Sequence, residues 1–502
     1  MRHKRYLIIS ATLSIITFLT FIARYRPNRI YRLNEVDKLI RPSSKNESIN
    51  ECGNNLDWLR SYHLSYPIKY ASRVINVAPS FNSTRPSLTY IDAPLFADFT
   101  ILNLENLNSL SIQSCLPPLS VEVIQYGSPK VKASNIIFGL QTTIKRLTET
   151  VKHLARWLPH TDARLYAIVK EDEETQASDH EITKLQQEFH NLHMNVILMH
   201  PVRADDSFAQ RYFSLISVMY EARDNDTQWI TCIDDDTFFP SIHDLQAMLA
   251  NYDPKKQYYI GSLSEDWWAV KHYGLMAFGG AGIFLSLPMA EIIYKNRDSC
   301  GQNLRTTAGD ITVMDCIYKF STTKLTNVPA LHQVDIHGDV SGLYESGREI
   351  LSLHHWKEGS AGHKLEIEKM HLINSLCDSC FLQRWQFSSD LLLTNGFSIT
   401  TYPHGHIANQ ENSGHVNLDV KKVSLDDVES TWNDDLDVLH SLAPTRQKMS
   451  SDSKKTYRLL DSVLIQDNNK RLAVHQIYIL KGEENDHEIQ GDSIMSLIWR
   501  RD

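Results

Sequence analysis

The chain has no surplus of positive charge: 51 Lys and Arg residues stand against 60 Asp and Glu, a net charge of −9. A global field able to gather DNA or RNA is therefore excluded, although a bound cation can still dominate the charge of a single cleft. Long hydrophobic runs are also scarce. One uncharged run covers residues 6–23, and its isolation argues against a multi-span membrane protein. No internal repeat is apparent. Cysteine is sparse, seven in 502 residues, and the odd number leaves one thiol unpaired; Cys232, inside an apolar run, is the candidate.

What is present is ordinary in bulk. Apolar residues make up 42% and charged residues 22%, close to the soluble globular average, and the length suggests roughly two to four structural units. The run at 6–23 follows Arg2, Lys4 and Arg5 and is long enough to span a bilayer. Arg24, Arg26 and Arg29 stand where a small-residue cleavage site would follow a signal peptide, so the run reads as a retained signal anchor with residues 1–5 as a cytosolic tail. Basic residues on both flanks do not decide its orientation. The sequons at Asn46, Asn82 and Asn225, with cysteines available for pairing, place the long C-terminal part in an oxidising lumen.

Residues 24–130 are rich in Asn, Ser, Pro and Arg without a sustained period and read as stem and lead-in. From 131 to 360, short β-like runs alternate with amphipathic helical ones, the pattern of an α/β domain. Strands are expected at 135–140, 164–169, 195–199, 229–233 and 258–261. One helix places Ile144, Leu147, Val151, Leu154 and Leu158 on a stripe; another places Phe208, Tyr212, Leu215 and Met219 on one face. Ser241 to Asp244 reads as a capping box. Residues 361–502 read as a separate β-rich extension, with strands within 381–402, 473–480 and 493–499 and a polar, acidic loop at 404–455.

The sharpest chemical feature follows the apolar run that ends at Ile233: Asp234, Asp235 and Asp236 sit at the tip of an expected strand. Ligands of an open α/β sheet bind at that edge, and residues i and i+2 of an extended chain point the same way. Asp234 and Asp236 therefore face one cavity, where crowded carboxylates call for Mg²⁺ or Mn²⁺ bridging to a diphosphate. An isolated acidic triplet would be a solvated turn; the strand before it argues otherwise. Gly279 and Gly280 lie in a small-residue cluster before another strand and suit close approach by sugar or diphosphate, though tight turns look alike. Asp310 opens an expected helix, either as a cap or as a general base for an acceptor hydroxyl, with Asp315 the weaker substitute. His354 and His355 end a strand. Adjacent strand residues face opposite ways, so at most one reaches a metal, and imidazole among oxygen ligands favours Mn²⁺. Trp267 and Trp268 are candidates for a sugar-stacking platform or for core filling.

In order, NIIFGLQTTIKRL, QWITCIDDDTFF, QYYIGSLSE, YGLMAFGGAGIFLS, AGDITVMDCI, HQVDIHGDVSG and LSLHHW resemble the Fringe-like branch of the β-1,3-glycosyltransferases, particularly its fungal and plant relatives, across residues 135–355. The resemblance implies a GT-A fold, a UDP-sugar donor, Mn²⁺ dependence, inversion at the anomeric carbon and a Golgi-type anchor. It implies that Asp236, with Asp234 and His354, holds the metal and that Asp310 is the catalytic base. Asp234 and Asp235, with Gly139, Thr142, Gly279 and Gly280, would border the donor. It also implies a disulfide between Cys300 and Cys316; Cys377 with Cys380, and Cys52 with Cys115, remain possible pairs. Many relatives carry two acids where this chain has Gly309 and Asp310. The expected function is a type II Golgi-membrane hexosyltransferase acting on a glycan or glycoprotein, with no nucleic-acid partner. The alternative is a catalytically silent glycan-binding or scaffolding protein of the same fold.

Overall fold

A computed structural model describes residues 56–501, except 103–115, 126–130, 172–175, 336–339, 358–364, 404–424, 430–444, 468–470 and a few single or paired positions. The anchor expected at 6–23, the sequon at Asn46 and the Cys52 and Cys115 pair lie outside the described residues. Among the described residues no helix is long and apolar enough to cross a membrane.

The fold is mixed α/β. Its central sheet holds β1 (Ile136–Thr142), β2 (Arg164–Val169), β3 (Asn195–Met199), β4 (Trp229–Cys232), β5 (Tyr259–Gly261), β6 (Ile283–Ser286) and β7 (Leu325–Asn327). Their spatial order is β7-β5-β6-β4-β1-β2-β3. β4, β1, β2 and β3 run parallel, and β6 is antiparallel to both neighbours. β1 and β4 are buried on both faces, as strands covered by helices must be, which is why they read as continuous apolar runs.

The helices are α1 (Ile144–Leu154), α2 (Asp179–Asn191), α3 (Phe208–Glu221), α4 (Ile242–Leu249), α5 (Trp267–Tyr273), α6 (Leu287–Lys295) and α7 (Gly309–Phe320). Leu147, Val151 and Leu154 of α1 are buried as the stripe predicts, and Leu158 is buried in the turn beyond it. The α3 face differs at one position: Tyr212, Leu215 and Met219 are buried, but Phe208, in the first turn, is 54% exposed. Ser241 caps α4 by accepting from Asp244 N–H. Cys300–Cys316 and Cys377–Cys380 are disulfides, and Cys232 is free and buried.

The lead-in does not behave as a stem. Ile68–Pro79 pairs in parallel with Ser493–Arg501, from Lys69 opposite Ser493 to Val77 opposite Arg501, and with Leu119–Val123, and antiparallel with Thr100–Leu102. Ser493–Arg501 continues through Leu472–Leu480, Lys455–Gln466, Ser398–Thr401, Leu391–Thr394 and Arg384–Phe387 to Thr89–Ile91. Strands from the described parts of the expected stem and of the expected separate C-terminal extension thus form one ten-stranded sheet. The reason is burial: Ile75, Val77, Trp385, Leu497 and Trp499 share one apolar cluster, and an edge left unpaired at Ile68–Pro79 would expose a long row of backbone donors and acceptors.

Candidate active site

The strand β4 ends at Cys232, and Ile233 N–H still bonds Gly139 O, so the chain leaves the sheet at Asp234. Thr237 holds the turn, accepting Asp234 N–H at 2.9 Å and donating to Gly280 O at 2.7 Å. Phe238 then exchanges backbone hydrogen bonds with Leu353, which sets His354 beside the acidic tip. The strand ends at Leu353, so the expected alternation does not part the two histidines; their rings lie 3.8 Å apart between centroids and take different partners. His354 Nε2 lies 3.0 Å from Asp236 Oδ1 and 3.4 Å from Asp234 Oδ2, while His355 Nδ1 turns to Asp335 Oδ1 at 2.9 Å.

Electrostatics follow from that contact. Burial alone would raise the Asp236 carboxyl, but the His354 contact outweighs it and holds it well below the usual carboxylate range. For His354 burial works against the charged ring, and Asp236 and Asp234 reverse the sign and raise it. Asp234 is raised by burial and by its two acidic neighbours, against the pull of His354. The indole of Trp356 donates from Nε1 to Asp236 O at 2.6 Å and packs edge-on against His153, 4.5 Å between centroids. Buried Glu368 in turn binds His153 and Lys152.

Asp235 faces away from this trio. It accepts two hydrogen bonds from Arg146, at 2.6 and 2.5 Å, and one from Thr142 Oγ1 at 2.5 Å. The bidentate pair raises the Arg146 guanidinium, whose side chain is 61% exposed. Thr142, Arg146, Asp234, Asp235, Asp236 and His354 line a cleft of about 380 Å³, joined by Lys170, Arg211 and Phe208. Lys170 and Arg211 are buried cations held by the backbone carbonyls of Ala204 and Asp206.

The glycines act as fillers of tight space rather than as cleft lining. A Cβ on Gly280 would stand 2.1 Å from His354 Nδ1, and one on Gly279 2.4 Å from Tyr212 Oη. Gly139 does not border the cleft: a Cβ there would meet Met219 at 2.8 Å, so its smallness serves helix–sheet packing. Gly309 has the same kind of reason. Its Cβ would strike Tyr212 Cβ at 2.4 Å, so the tyrosine fills the space a second acid would need.

Asp310 does not line the cleft of the acidic tip; it stands across the glycine turn from it. Its Oδ2 accepts Gly279 N–H at 3.2 Å and its Oδ1 accepts Ile311 N–H at 2.8 Å. Burial, with Asp234 adding to it, pushes its pKa up to about 6. The Cys300–Cys316 disulfide ties the loop before Asp310 to the body of α7. Asp315 bonds Arg305 on the surface and is not near the tip residues.

The donor set of two carboxylates and an imidazole suits a divalent cation in type, while the 3.0 Å between His354 Nε2 and Asp236 Oδ1 is that of an ion pair. Among the described residues no three His, Cys, Asp or Glu side chains are grouped to hold a metal ion; His354 Nε2 is engaged by both carboxylates.

Residues 269–379 match a family described as a protein of unknown function, DUF604. That stretch holds Gly279, Gly280, Asp310 and His354 but not the acidic tip. No curated protein matches the chain. Three solved structures are similar at low score. A mannosyltransferase from Pyrobaculum calidifontis in complex with GDP-Man and Mn²⁺ has 11% identity and a TM-score of 0.27, over 41% of this chain and 59% of that one. A glycosyltransferase involved in glycosylation of the major capsid of PBCV-1 has 12% identity and a TM-score of 0.25, over 44% and 91%. Mouse xyloside xylosyltransferase 1, in its apo form, has 12% identity and a TM-score of 0.27, over 40% and 85%.

Sequence alone does not mark Arg146, Lys170, Arg211 or Trp356 as site residues, and it places Tyr212 only on the buried stripe of a helix. Arg146 and Trp356 carried a signal in hindsight, one helical turn after β1 and directly after the histidine pair; Lys170 and Arg211 did not.

Proposed function

We propose that the chain is a divalent-metal-dependent glycosyltransferase of GT-A architecture that moves a hexose from a UDP-sugar to a hydroxyl of a glycan or glycoprotein with inversion. The Fringe-like resemblance makes the linkage β-1,3. The observation that carries the proposal is the meeting of Asp234 and Asp236 on His354 at a cleft that also holds Arg146, Lys170 and Arg211. Asp236, Asp234 and His354 would hold Mn²⁺ or Mg²⁺, with the imidazole favouring Mn²⁺. Such an ion, when bound, supplies the positive charge that stabilises a departing diphosphate.

The remaining roles fall to this chain's own groups. Arg146, pinned by Asp235 and Thr142, keeps its guanidinium at the cleft, and Lys170 and Arg211 add charge for the phosphates. Asp310 takes the proton of the acceptor hydroxyl as its oxygen attacks the anomeric carbon. The bond from that carbon to the diphosphate breaks, and a single displacement inverts the centre. A carboxyl whose pKa lies about 6 is poised for this near neutral pH. Residues 6–23 would anchor the protein as a single-pass type II Golgi protein with the catalytic part lumenal.

The test is UDP release from a panel of UDP-sugars in the presence of Mn²⁺. Asp236→Ala is expected to lower the rate by about 10³-fold or more per folded molecule, with the folded fraction measured by circular dichroism because the variant also removes the buried partner of His354. Full activity in that variant would refute the site.

A further inference from the structure

α5 displays the densest exposed aromatic surface near the proposed site. Trp267 is 41% and Trp268 55% exposed, and Leu275, just past the helix, is 64% exposed. Leaving such side chains in water forgoes about 1.5–3 kcal/mol each, and contiguous exposed apolar groups commonly mark a binding surface. Neither the metal trio nor the cation-lined cleft uses them.

The aromatic surface is rigid. Asp266 caps α5 by accepting Trp268 N–H at 2.8 Å. The Trp268 ring stacks on His272, 4.7 Å between centroids and 8° between planes, and meets Tyr273 edge-on at 5.9 Å. The Trp268 indole, preset in this way, loses little conformational freedom when a ligand lies on it.

Its position joins it to Asp310. Ala269 of α5 packs in one cluster with Met276, Phe278, Ile311 and Met314. Ile311 is the residue after Asp310, and Phe278 precedes the Gly279 whose N–H binds the Asp310 carboxylate. Tyr318 of α7 closes the same unit by donating to Leu275 O at 2.9 Å. α5 is therefore seated on the end of α7 that carries Asp310, across the glycine turn from the donor cleft.

The occupant is indicated by chemistry. Asp266 and Lys271 leave the exposed face of α5 with balanced charge, which suits a neutral ligand. A pyranose offers one apolar face of C–H bonds and a rim of hydroxyls, matching indole faces bordered by Asp266, Lys271 and His272. We infer that α5 carries the acceptor subsite: a neutral saccharide stacks on Trp267 and Trp268 and is thereby held for its hydroxyl to meet Asp310. This inference rests on the glycosyltransferase reading for the role of Asp310, but saccharide binding itself does not require turnover.

The test titrates the full chain with lactose, cellobiose and N,N′-diacetylchitobiose, followed by saturation-transfer NMR and tryptophan fluorescence. At least one disaccharide should bind wild type and Asp236→Ala equally. The Trp267→Ala/Trp268→Ala double variant should bind it about tenfold more weakly or worse, with UDP affinity unchanged. Both indoles are exposed, so the double variant should keep the wild-type unfolding midpoint. Equal binding in the double variant, or no binding by any of the three, overturns the inference. So does a self-association of the chain that the double variant abolishes, because the patch then belongs to a second copy. Absence of UDP release by wild type would refute the transferase reading while leaving this titration intact.

Discussion

Two clusters of buried charge make opposite use of their polar groups. At the seam between the two sheets, Lys454 Nζ lies 2.7 Å from Glu345 and 2.5 Å from Glu429, all three buried, and Ser398 donates to Glu345 as well. The ions of that cluster satisfy one another and hold the fold. At the acidic tip the Arg146 side chain is 61% and the Asp234 side chain 38% exposed toward the cleft, and His354 Nδ1 and Tyr212 Oη are buried without a hydrogen-bond partner. Polar groups kept available at a cost in stability are the mark of a site; polar groups closed on themselves are the mark of a joint.

That contrast breaks most visibly at the joint. Lys454→Ala leaves Glu345 and Glu429 buried without their shared cation and should destabilise the protein by about 3–5 kcal/mol. Denaturant unfolding measures it, and UDP binding by the folded fraction should stay at the wild-type level. A change below about 1 kcal/mol would show that the cluster is hydrated rather than closed.

At the site the expected effects on stability are smaller. Burial raises Asp310 from the ordinary carboxyl value of about 3.9 to about 6. The folded chain then holds that proton more tightly than the unfolded chain, so this group's contribution makes stability fall as pH rises from about 4 through 6. Asp310→Asn should remove that pH-dependent fall and suppress transfer; its amide keeps only one of the two oxygens that accept Gly279 and Ile311 N–H, so the gain from losing the buried charge is offset by a lost hydrogen bond. In wild type the rate should rise with pH through the same interval, as the carboxylate becomes able to accept a proton. A pH-independent rate from 4 to 8 would remove Asp310 from the base role. The smallest effect is at Tyr212→Phe. Deleting a buried hydroxyl without a partner should be neutral or stabilise by about 1 kcal/mol, read in the unfolding midpoint; a clear destabilisation would mean that the hydroxyl is bonded.

The same contrast explains what was legible in the sequence. β1 to β4 and their helices follow one another within residues 136–249, so period and caps report them directly. The acidic tip was readable because Trp229–Cys232 is a short, mostly apolar strand buried on both faces; the choice of His354 over His355 came from the family resemblance, and alternation misled, because the two rings lie 3.8 Å apart. The ten-stranded sheet was not readable. Its pairing of Ile68–Pro79 with Ser493–Arg501 joins segments far apart in the sequence, and no local pattern carries such a register. Gly139 misled for a related reason: the contact that demands a glycine there comes from Met219, on a helix far along the sequence. Arg211 reads as a surface charge on α3, and only the fold buries it under the loop that carries Asp206.

The most direct measurement is calorimetric titration of the protein with UDP, with and without Mn²⁺, for wild type and Asp236→Ala. The expected result is that Mn²⁺ tightens UDP binding to wild type by about tenfold or more and has no such effect in the variant. UDP binding that ignores Mn²⁺, or that survives unchanged in Asp236→Ala, would contradict a metal held at the tip of β4.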